Sequence, residues 1–133
     1  IVPYRNQIST VRNAIDRRIE ESGLSDTLHD ITIDTVERYQ GSQRDLIIYG
    51  FTIKKYYQLS FLTDNEYYDE TEDATIDRKL NVAMTRARKH LVMVGNAQLL
   101  SNDFTFKRLI EYTKEEKCFF TIQNIQERED LLK

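Results

Sequence analysis

The spacing of apolar residues along the chain predicts helices that alternate with strands. A first helical face is formed by four branched residues, Ile8, Val11, Ile15 and Ile19. Their spacing predicts a helix over about residues 4–22, and Gly23 is a suitable C-terminal stop because glycine adopts the left-handed conformation without strain. Ile1 and Val2 are predicted to be the end of a strand, so we expect the chain to be truncated at its N-terminus.

Two strands are predicted after this helix. Residues 31–36 alternate between apolar and polar side chains, which is typical of a half-buried strand. Gly41 then permits a sharp turn before a second strand at residues 46–53. This second run is apolar on both faces, and such runs are typical of central parallel strands that helices cover on both sides.

The apolar and polar pattern of the remaining chain predicts one insert, two helices and two strands. Residues 64–77 are acidic and lack apolar periodicity, which predicts a surface loop inserted between elements. The next helical stripe, which leads into a strand at residues 90–95, consists of Leu80, Ala83, Met84 and Ala87. The last stripe consists of Phe106, Leu109, Ile110 and Thr113, and residues 118–122 predict a final short strand. The alternation indicates an α/β fold, with a mostly parallel sheet flanked by helices, in a single domain spanning residues 1–133.

Composition restricts the class of protein to which this fold belongs. Of the 133 residues, 40% are apolar and 31% are charged, which is typical of a folded globular domain rather than of a disordered chain. No apolar run approaches the roughly 20 residues that span a bilayer, and no leader pattern opens the chain. We therefore expect an intracellular protein, located in the cytoplasm or in the nucleoid or nucleus, without a membrane partner.

Cysteine and histidine are too few to support metal or disulfide chemistry. Cys118 is the single cysteine, and the two histidines are His29 and His90. A lone thiol cannot form an internal disulfide, and a structural zinc ion requires about four ligands. We therefore predict no metal site in this chain, and the histidines have no evident catalytic partners nearby in sequence.

Charge is sorted along the chain, although the formal net charge is only -3. The stretch 56–77 holds seven acidic residues and no basic one, whereas 78–90 holds five basic residues and no acidic one. Any nucleic-acid contact must therefore be local instead of resulting from bulk attraction. Four tyrosines of the acidic stretch are expected to pack or to belong to a loop, because acids repel phosphate: Tyr56, Tyr57, Tyr67 and Tyr68.

Polar side chains adjoin strand ends in two segments, residues 34–48 and 80–96. Ligands of open α/β sheets bind outside the carboxyl ends of strands, so we expect residues 35–45 to meet a ligand there, with Gly41 allowing close backbone approach. In the second segment, Arg86 lies on the flank of the helical stripe and can point away from the core. Its guanidinium is permanently charged and can bind phosphate oxygens through two parallel hydrogen bonds.

Three strings in and before these segments resemble motifs of superfamily 1 helicases. Val36-Glu-Arg-Tyr-Gln-Gly, followed by Asp-Leu-Ile-Ile, resembles motif V, and Leu80-Asn-Val-Ala-Met-Thr-Arg-Ala-Arg resembles motif VI. The opening Val2-Pro-Tyr-Arg-Asn-Gln resembles the motif IV region. The strings are similar to those of the branch that contains the nonsense-mediated-decay helicase and senataxin, where they occur in the same order. The resemblance implies a RecA-like fold and a partial second RecA-like lobe.

The resemblance also implies roles for individual residues. Arg86 takes the position of the arginine finger, the catalytic residue that reaches the γ-phosphate of ATP. Gly41 and Gln43 take positions near the nucleotide, although the family often has a glutamate at the position of Gln43. Thr35 takes the position that commonly touches the nucleic-acid backbone. Arg88 is expected to brace the site. A helix-end arginine that only complements the helix dipole is the alternative interpretation of Arg86.

The implied function is that of the C-terminal motor lobe of an ATP-dependent helicase or translocase. Its implied partners are single-stranded DNA or RNA and the first RecA-like lobe of the same polypeptide. ATP and Mg²⁺ are the implied cofactors of the full-length protein, with Mg²⁺ held by the missing first lobe, because this chain lacks a Gly-x-x-x-x-Gly-Lys-Thr phosphate loop. We expect the isolated chain to be inactive. One alternative is a non-catalytic nucleic-acid-binding or protein-interaction module with a helicase-like fold; an unrelated small-molecule α/β enzyme ranks last.

Overall fold

The computed structural model describes residues 1–24, 30–39, 41–64 and 66–132 and confirms an α/β architecture. Its helices are α1 (Gln7–Ser22), α2 (Leu59–Thr63), α3 (Arg78–Arg86), α4 (Ala97–Leu100), α5 (Phe104–Glu115) and α6 (Ile122–Leu132). Its strands are β1 (Arg44–Phe51), β2 (Glu66–Asp69), β3 (Ala74–Asp77) and β4 (Ala87–Gly95), and 3-10 turns cover Val36–Tyr39 and Tyr56–Gln58. His29, and Gln40 within the motif V string, lie outside the described residues.

The main sheet is parallel, as the sequence predicted. β1 pairs in parallel with β4. On the other side of β1, backbone hydrogen bonds join Ile1 to Ile48 and Gly50 at 2.6 and 3.0 Å. Val2 then forms a parallel bridge with Thr35. The order across the sheet is therefore Thr35, Ile1 with Val2, β1 and β4.

Helix α1 follows the predicted apolar stripe but begins later than predicted. Residues 3–6 form a separate turn, in which the backbone N–H of Gln7 donates to the carbonyl of Tyr4 at 3.1 Å, so the helix begins at Gln7. It ends at Gly23, whose φ of 68° is the left-handed conformation expected of a C-terminal stop. None of the α1 residues is fully buried, and its stripe is only half-buried.

The core lies on one face of the sheet. Alternate residues of β1, namely Ile47, Tyr49 and Phe51, are buried there. From α3 and α5, the same cluster receives Leu80, Ala83 and Phe106. The rings of Phe51 and Phe106 meet edge to face with their centres 5.1 Å apart. Because α3 and α5 both contribute to this cluster, they cover the same face.

The opposite face of β1 and β4 remains exposed in the described part of the chain. Leu46 and Ile48 are 50% and 53% exposed, and Val92 and Val94 of β4 are exposed as well. The sequence predicted helices on both faces of this apolar run. That prediction is wrong for the described residues, because these four side chains are exposed, whereas α3 and α5 both contribute to the core on the other face.

Residues 66–77 form a hairpin, whereas a surface loop was predicted for residues 64–77. β2 and β3 pair antiparallel, from Glu66 opposite Asp77 to Asp69 opposite Ala74. Cross-strand backbone pairing does not require an apolar face, which is why the apolar pattern gave no sign of it. Most side chains between Glu66 and Ile76 are exposed or half-buried, whereas Asp77 at the end of β3 is buried.

Two other predicted strands are wrong or much reduced. The strand expected at residues 31–36 contracts to the single bridge at Thr35, because Val36 already begins a 3-10 turn. Residues 118–122 contain no strand: the backbone N–H of Cys118 donates to the carbonyl of Thr113 at 2.9 Å and closes α5, and α6 begins at Ile122.

Asp77 connects the hairpin to α3. It is only 3% exposed, and its Oδ1 accepts the backbone N–H of Leu80 at 2.8 Å as the N-cap of the helix. Its Oδ2 is buried without a hydrogen-bond partner in the described residues. Burial raises the pKa of Asp77, and the backbone N–H groups of Leu80 and Lys79 offset this only in part. Burial and the charge of Asp103 also raise the pKa of Glu66, so this corner of the fold disfavours carboxylate charge.

Gly95→Ala should lower the free energy of unfolding by about 1–3 kcal/mol, because the added methyl group overfills a packed site. A Cβ atom at Gly95 would lie 3.0 Å from both Phe51 Cβ and Leu100 Cδ1. Gly50→Ala is the matched control, since its nearest contacts would be 3.8 Å or longer. Urea denaturation should show a change below about 1 kcal/mol for the control. Equal losses in both variants would contradict the packing argument.

Asp77→Ala should destabilise the chain by about 0.5–2 kcal/mol in urea denaturation, because α3 loses its N-cap. Asp77→Asn keeps an oxygen acceptor and is the control.

The raised pKa of Asp77 means that the folded state favours the protonated carboxyl. The contribution of Asp77 to stability is therefore full below its usual pKa of about 3.9 and is lost as pH rises through the raised value. Over this pH range, the free energy of unfolding of the wild type should fall relative to that of Asp77→Asn. A difference between the two proteins that stays constant with pH would contradict this prediction.

Candidate functional site

Arg86 is held where a helix passes directly into a strand. It is the last residue of α3, and Ala87 begins β4 without an intervening loop. Leu80 and Ala83 anchor the helix in the core, whereas Met84 is exposed and Ala87 belongs to the strand. Only the first two residues of the predicted helical stripe are therefore buried in the core. The position of Arg86 depends on the packing of α3 and on the pairing of β4.

The register of the sheet brings Arg86 and Gln43 to the same edge. Arg44 and Ala87 are partners across β1 and β4. Gln43 and Arg86 each precede one of these partners, so their backbones are neighbours at the amino ends of two adjacent parallel strands. Two residues that the motifs place near a nucleotide are thus close together, although 43 positions separate them in sequence.

An irregularity in the register lies next to this edge. Between Arg44 and Leu46, β4 contains one extra residue, so that Arg88 and Lys89 both approach Asp45. Arg88 Nε lies 3.7 Å and Lys89 Nζ 2.8 Å from the carboxylate of Asp45. The hydrogen bond and the charge of Lys89 lower the pKa of Asp45. These side chains are exposed, so water weakens the ion pairs, and the bracing role predicted for Arg88 would act through them.

The side chain of Arg86 is half-buried instead of fully exposed. Its Nε is buried and has no hydrogen-bond partner in the described residues. A buried donor without an acceptor costs about 1–3 kcal/mol, so this guanidinium gains from any acceptor that approaches it. Phosphate oxygens are among the strongest acceptors for arginine. The position of Arg86 in the last turn of α3 also favours its charge, and that effect requires no ligand.

Gly41 lies in an open turn that precedes β1. Its φ of 85° belongs to the left-handed region, and no heavy atom lies within 4 Å of the position that a Cβ atom would take. Beside it, the backbone N–H of Ser42 donates to the carbonyl of Tyr39 at 3.3 Å. Tyr39 is buried, and its hydroxyl donates to the carbonyl of Thr32 at 2.7 Å. The turn is therefore anchored on one side and accessible to a ligand on the other.

The segment 35–45 crosses from one edge of the sheet to the other. Thr35 is level with Gly50, near the carboxyl end of β1, whereas Gln43 precedes its amino end at Arg44. At about 3.3 Å per residue, the strand between these levels spans about 20 Å. The prediction that the whole segment lies at the carboxyl ends is wrong, because a chain must return to the amino end of the sheet before it enters a parallel strand.

A shallow groove of about 490 Å³ lies beside Thr35 at the carboxyl edge. Its lining comprises Pro3, Tyr4, Arg5, Asn6, Thr35, Glu37 and Arg38. Thr35 is itself only 5% exposed, and its hydroxyl donates to Glu37, while the Tyr4 hydroxyl is buried without a partner in the described residues. The pattern of apolar residues did not predict that residues 3–6 line a groove. The extended segment before them, Ile1 and Val2, is too short to show a periodic pattern. The rule that ligands bind at the carboxyl ends of strands would have pointed to residues 3–6, because they directly follow Ile1 and Val2.

An ion pair connects the motif V turn to the motif VI helix. Lys79 Nζ of α3 lies 3.7 Å from Glu37 Oε1 in the 3-10 turn, and the two elements pack together. Partial burial acts to raise the pKa of Glu37, but hydrogen bonds from its own backbone and from Thr35, with the charge of Lys79, lower it overall. Glu37 is therefore charged at neutral pH. Because Arg86 belongs to the same helix as Lys79, the turn and Arg86 are parts of one packed unit.

Metal ligands do not converge in the part of the chain that the structure describes. No three histidine, cysteine or acidic side chains there are arranged to hold a metal ion. Cys118 is exposed and forms no disulfide. Within the described ranges, no helix is both long and apolar enough to cross a membrane.

Known proteins share the sequence of this domain. Residues 1–98, which include all three strings, match the AAA domain family. The putative helicase mov-10-B.1 of Danio rerio is 30% identical over 129 residues, covering 96% of this chain and 12% of that protein. Helicase sen1 of Schizosaccharomyces pombe is 33% identical over 113 residues, covering 84% and 6%. The DNA polymerase alpha-associated DNA helicase A of Saccharomyces cerevisiae is 37% identical over 100 residues, covering 75% and 12%.

The chain spans between 6% and 14% of the length of these and similar curated relatives. The matched region nevertheless includes the parallel sheet, the motif V turn and the helix that carries Arg86. The predicted relationship is confirmed, and the mixed α/β structure agrees with it. The chain therefore belongs to the AAA domain family and is a RecA-like domain of the superfamily 1 helicases.

Proposed function

We propose that this domain is the second RecA-like lobe of an ATP-dependent helicase or translocase, and that it supplies the arginine finger and part of the single-strand binding track. The observation that carries the proposal is the β1–β4 register. It brings Arg86 and Gln43 to one edge of the sheet, beside the open turn at Gly41. In the same proposal, the groove at Thr35 serves nucleic acid at the opposite edge.

Arg86 would act on ATP that the first RecA-like lobe of the same polypeptide holds together with Mg²⁺. When the lobes close, two parallel N–H groups of the guanidinium can reach oxygens of the γ-phosphate. Its fixed positive charge then stabilises the negative charge that develops on the transferring phosphoryl group. The buried Nε, which has no acceptor among the residues that the structure describes, supports this role, because such a donor is satisfied when an acceptor arrives.

Gln43 and Gly41 would contribute binding instead of chemistry. The amide of Gln43 can donate to a ribose hydroxyl or a phosphate oxygen, but it cannot act as a carboxylate base. At Gly41, the open space beside the backbone allows a nucleotide to approach closely. Neither residue carries a charge that would compensate for the loss of Arg86.

The groove at the carboxyl edge would bind the backbone of single-stranded DNA or RNA. Arg5 and Arg38 provide positive charge there, and the Tyr4 hydroxyl, which has no partner in the described part of the chain, provides a donor. Thr35 would hydrogen-bond a phosphate or sugar after its hydroxyl leaves Glu37. The turn Val36–Tyr39 and α3 connect this groove to Arg86, so that lobe closure at one edge would shift the nucleic acid bound at the other.

Arg86→Ala in the full-length protein should reduce ATP turnover by about 10³- to 10⁵-fold, because the phosphoryl charge loses its arginine. Steady-state phosphate release measures the effect. Arg88→Ala is the matched control: it removes an exposed arginine that binds Asp45, and it should change turnover far less. Unchanged melting of Arg86→Ala would show that the fold is intact. Undiminished turnover would overturn the finger assignment and favour a non-catalytic module with a helicase-like fold.

The isolated 133-residue chain should bind ATP only weakly and should release no phosphate above background, since it contributes the finger and not the phosphate loop. Calorimetric titration with ATP and Mg²⁺, together with a phosphate assay at high protein concentration, tests this. Robust turnover by the purified chain would refute the proposed division of the site between two lobes.

A further inference from the structure

A turn after β1 presents two tyrosines to solvent. Tyr56 and Tyr57 are each 65% exposed, so of the two predicted alternatives, packing or a place in a loop, the second applies to them. Ile53 and Leu59, which flank the turn, are both buried. The chain is therefore anchored in the core on both sides of the pair, and the rings between these anchors bury little area. We call residues 54–58 the tyrosine turn.

Hydrogen bonds hold the tyrosine turn in one shape. The side-chain Oε1 of Gln58 accepts the backbone N–H groups of Lys54 and Lys55 at 2.8 and 2.9 Å. The backbone N–H of Gln58 donates to the carbonyl of Lys55 at 3.0 Å, and the hydroxyl of Ser60 donates to the carbonyl of Tyr57 at 3.0 Å. The turn thus does not need to bury its rings to keep its shape. A held turn loses little conformational entropy when a ligand covers its rings.

The tyrosine turn lies at the same edge of the sheet as the groove at Thr35. It follows the carboxyl end of β1, and the groove residue Tyr4 meets Phe61 edge to face, with ring centres 6.0 Å apart. Tyr57 is close enough to Tyr4 to contribute to its raised pKa, after the larger effect of burial. An open cavity of about 480 Å³ adjoins Tyr56 and Tyr57. The aromatic surface therefore continues the groove.

Charge beside the rings favours an anionic partner. Lys54 and Lys55 are exposed and directly precede the tyrosines. The acidic residue of the adjoining cavity, Asp103, already accepts the backbone N–H of Phe106 at 2.9 Å as the N-cap of α5. Aromatic faces beside ammonium groups are suited to a single strand, since bases stack on the rings while phosphates bind the cations.

We propose that Tyr56 and Tyr57 form a stacking platform for unpaired bases of a single-stranded nucleic acid, whose phosphates bind Lys54 and Lys55 and whose neighbouring nucleotides occupy the groove at Thr35. This rests on the proposed function, because it extends the nucleic-acid track of the domain. Stacking is tolerant of sequence, so the platform would hold the strand without selecting bases.

The test compares strands with and without bases. Fluorescence anisotropy would measure binding of the full-length protein to oligothymidylate, to oligouridylate and to an abasic oligodeoxynucleotide of about the same 12-nucleotide length. Tyr56→Ala combined with Tyr57→Ala should weaken binding of the strands with bases by about 5- to 150-fold and leave abasic binding unchanged. Thymidylate and uridylate report separately whether the platform serves DNA, RNA or both.

Three control variants test whether the loss of binding comes from the rings of Tyr56 and Tyr57. Tyr56→Phe with Tyr57→Phe should restore binding, because stacking needs the ring and not the hydroxyl. Tyr68→Ala should change nothing, since Tyr68 is 57% exposed in the acidic hairpin. Lys54→Gln with Lys55→Gln should weaken the binding of all three oligonucleotides alike. The slope of the logarithm of the binding constant against the logarithm of the salt concentration should become smaller by about 1 to 2.

Equal losses on abasic strands, or failure of the phenylalanine variants to restore binding, would overturn the stacking platform. Unchanged binding in the alanine variant would also overturn it and would point to a protein partner for the tyrosine turn. If Thr35→Val still weakens binding in that case, the proposed function survives without the platform. If the wild-type full-length protein binds none of the strands, the proposed function itself is lost.

Discussion

The hydrogen-bonded register between β1 and β4 determines most of what surrounds it. It directs Ile47, Tyr49 and Phe51 into the core, where they meet α3 and α5. Because α3 enters β4 without a loop, the same register places Arg86 next to Gln43. A slip of one residue would turn the core side chains of a strand to the opposite face, so the core that stabilises the strand pairing also maintains the geometry of the site.

The candidate site residues form two groups that are separated by the length of the strands. Arg86, Gln43 and Gly41 lie towards the amino ends, whereas Thr35 and its groove lie at the carboxyl ends, about 20 Å away. The turn Val36–Tyr39 begins directly after Thr35, contributes Val36 and Tyr39 to the core, and packs against α3. In the proposed function, this packing transmits lobe closure from the nucleotide edge to the nucleic-acid edge. Such transmission requires only that a packed unit moves as one body.

Local features of the fold were predictable from the sequence because each depends on neighbours along the chain. The stop at Gly23, the left-handed turn at Gly41 and the buried side of α5 are all of this kind. The hairpin at residues 64–77 was missed because exposed strands held by backbone pairing need no apolar face. The strand predicted at residues 118–122 failed because helices border the segment on both sides and the described residues offer it no strand partner.

For the function, the sequence by itself determined the fold class and the order of the motifs, and it predicted Arg86 as the residue that meets phosphate. Those conclusions follow from residue chemistry and short spacings. Only the tertiary structure decided that Thr35 and Gln43 lie at opposite edges of the sheet, that the half-buried Arg86 has an Nε without a hydrogen-bond partner among the described residues, and that Tyr56 and Tyr57 face solvent. The physical reason is that strand register and burial are set by contacts between residues far apart in the chain, which no local pattern encodes.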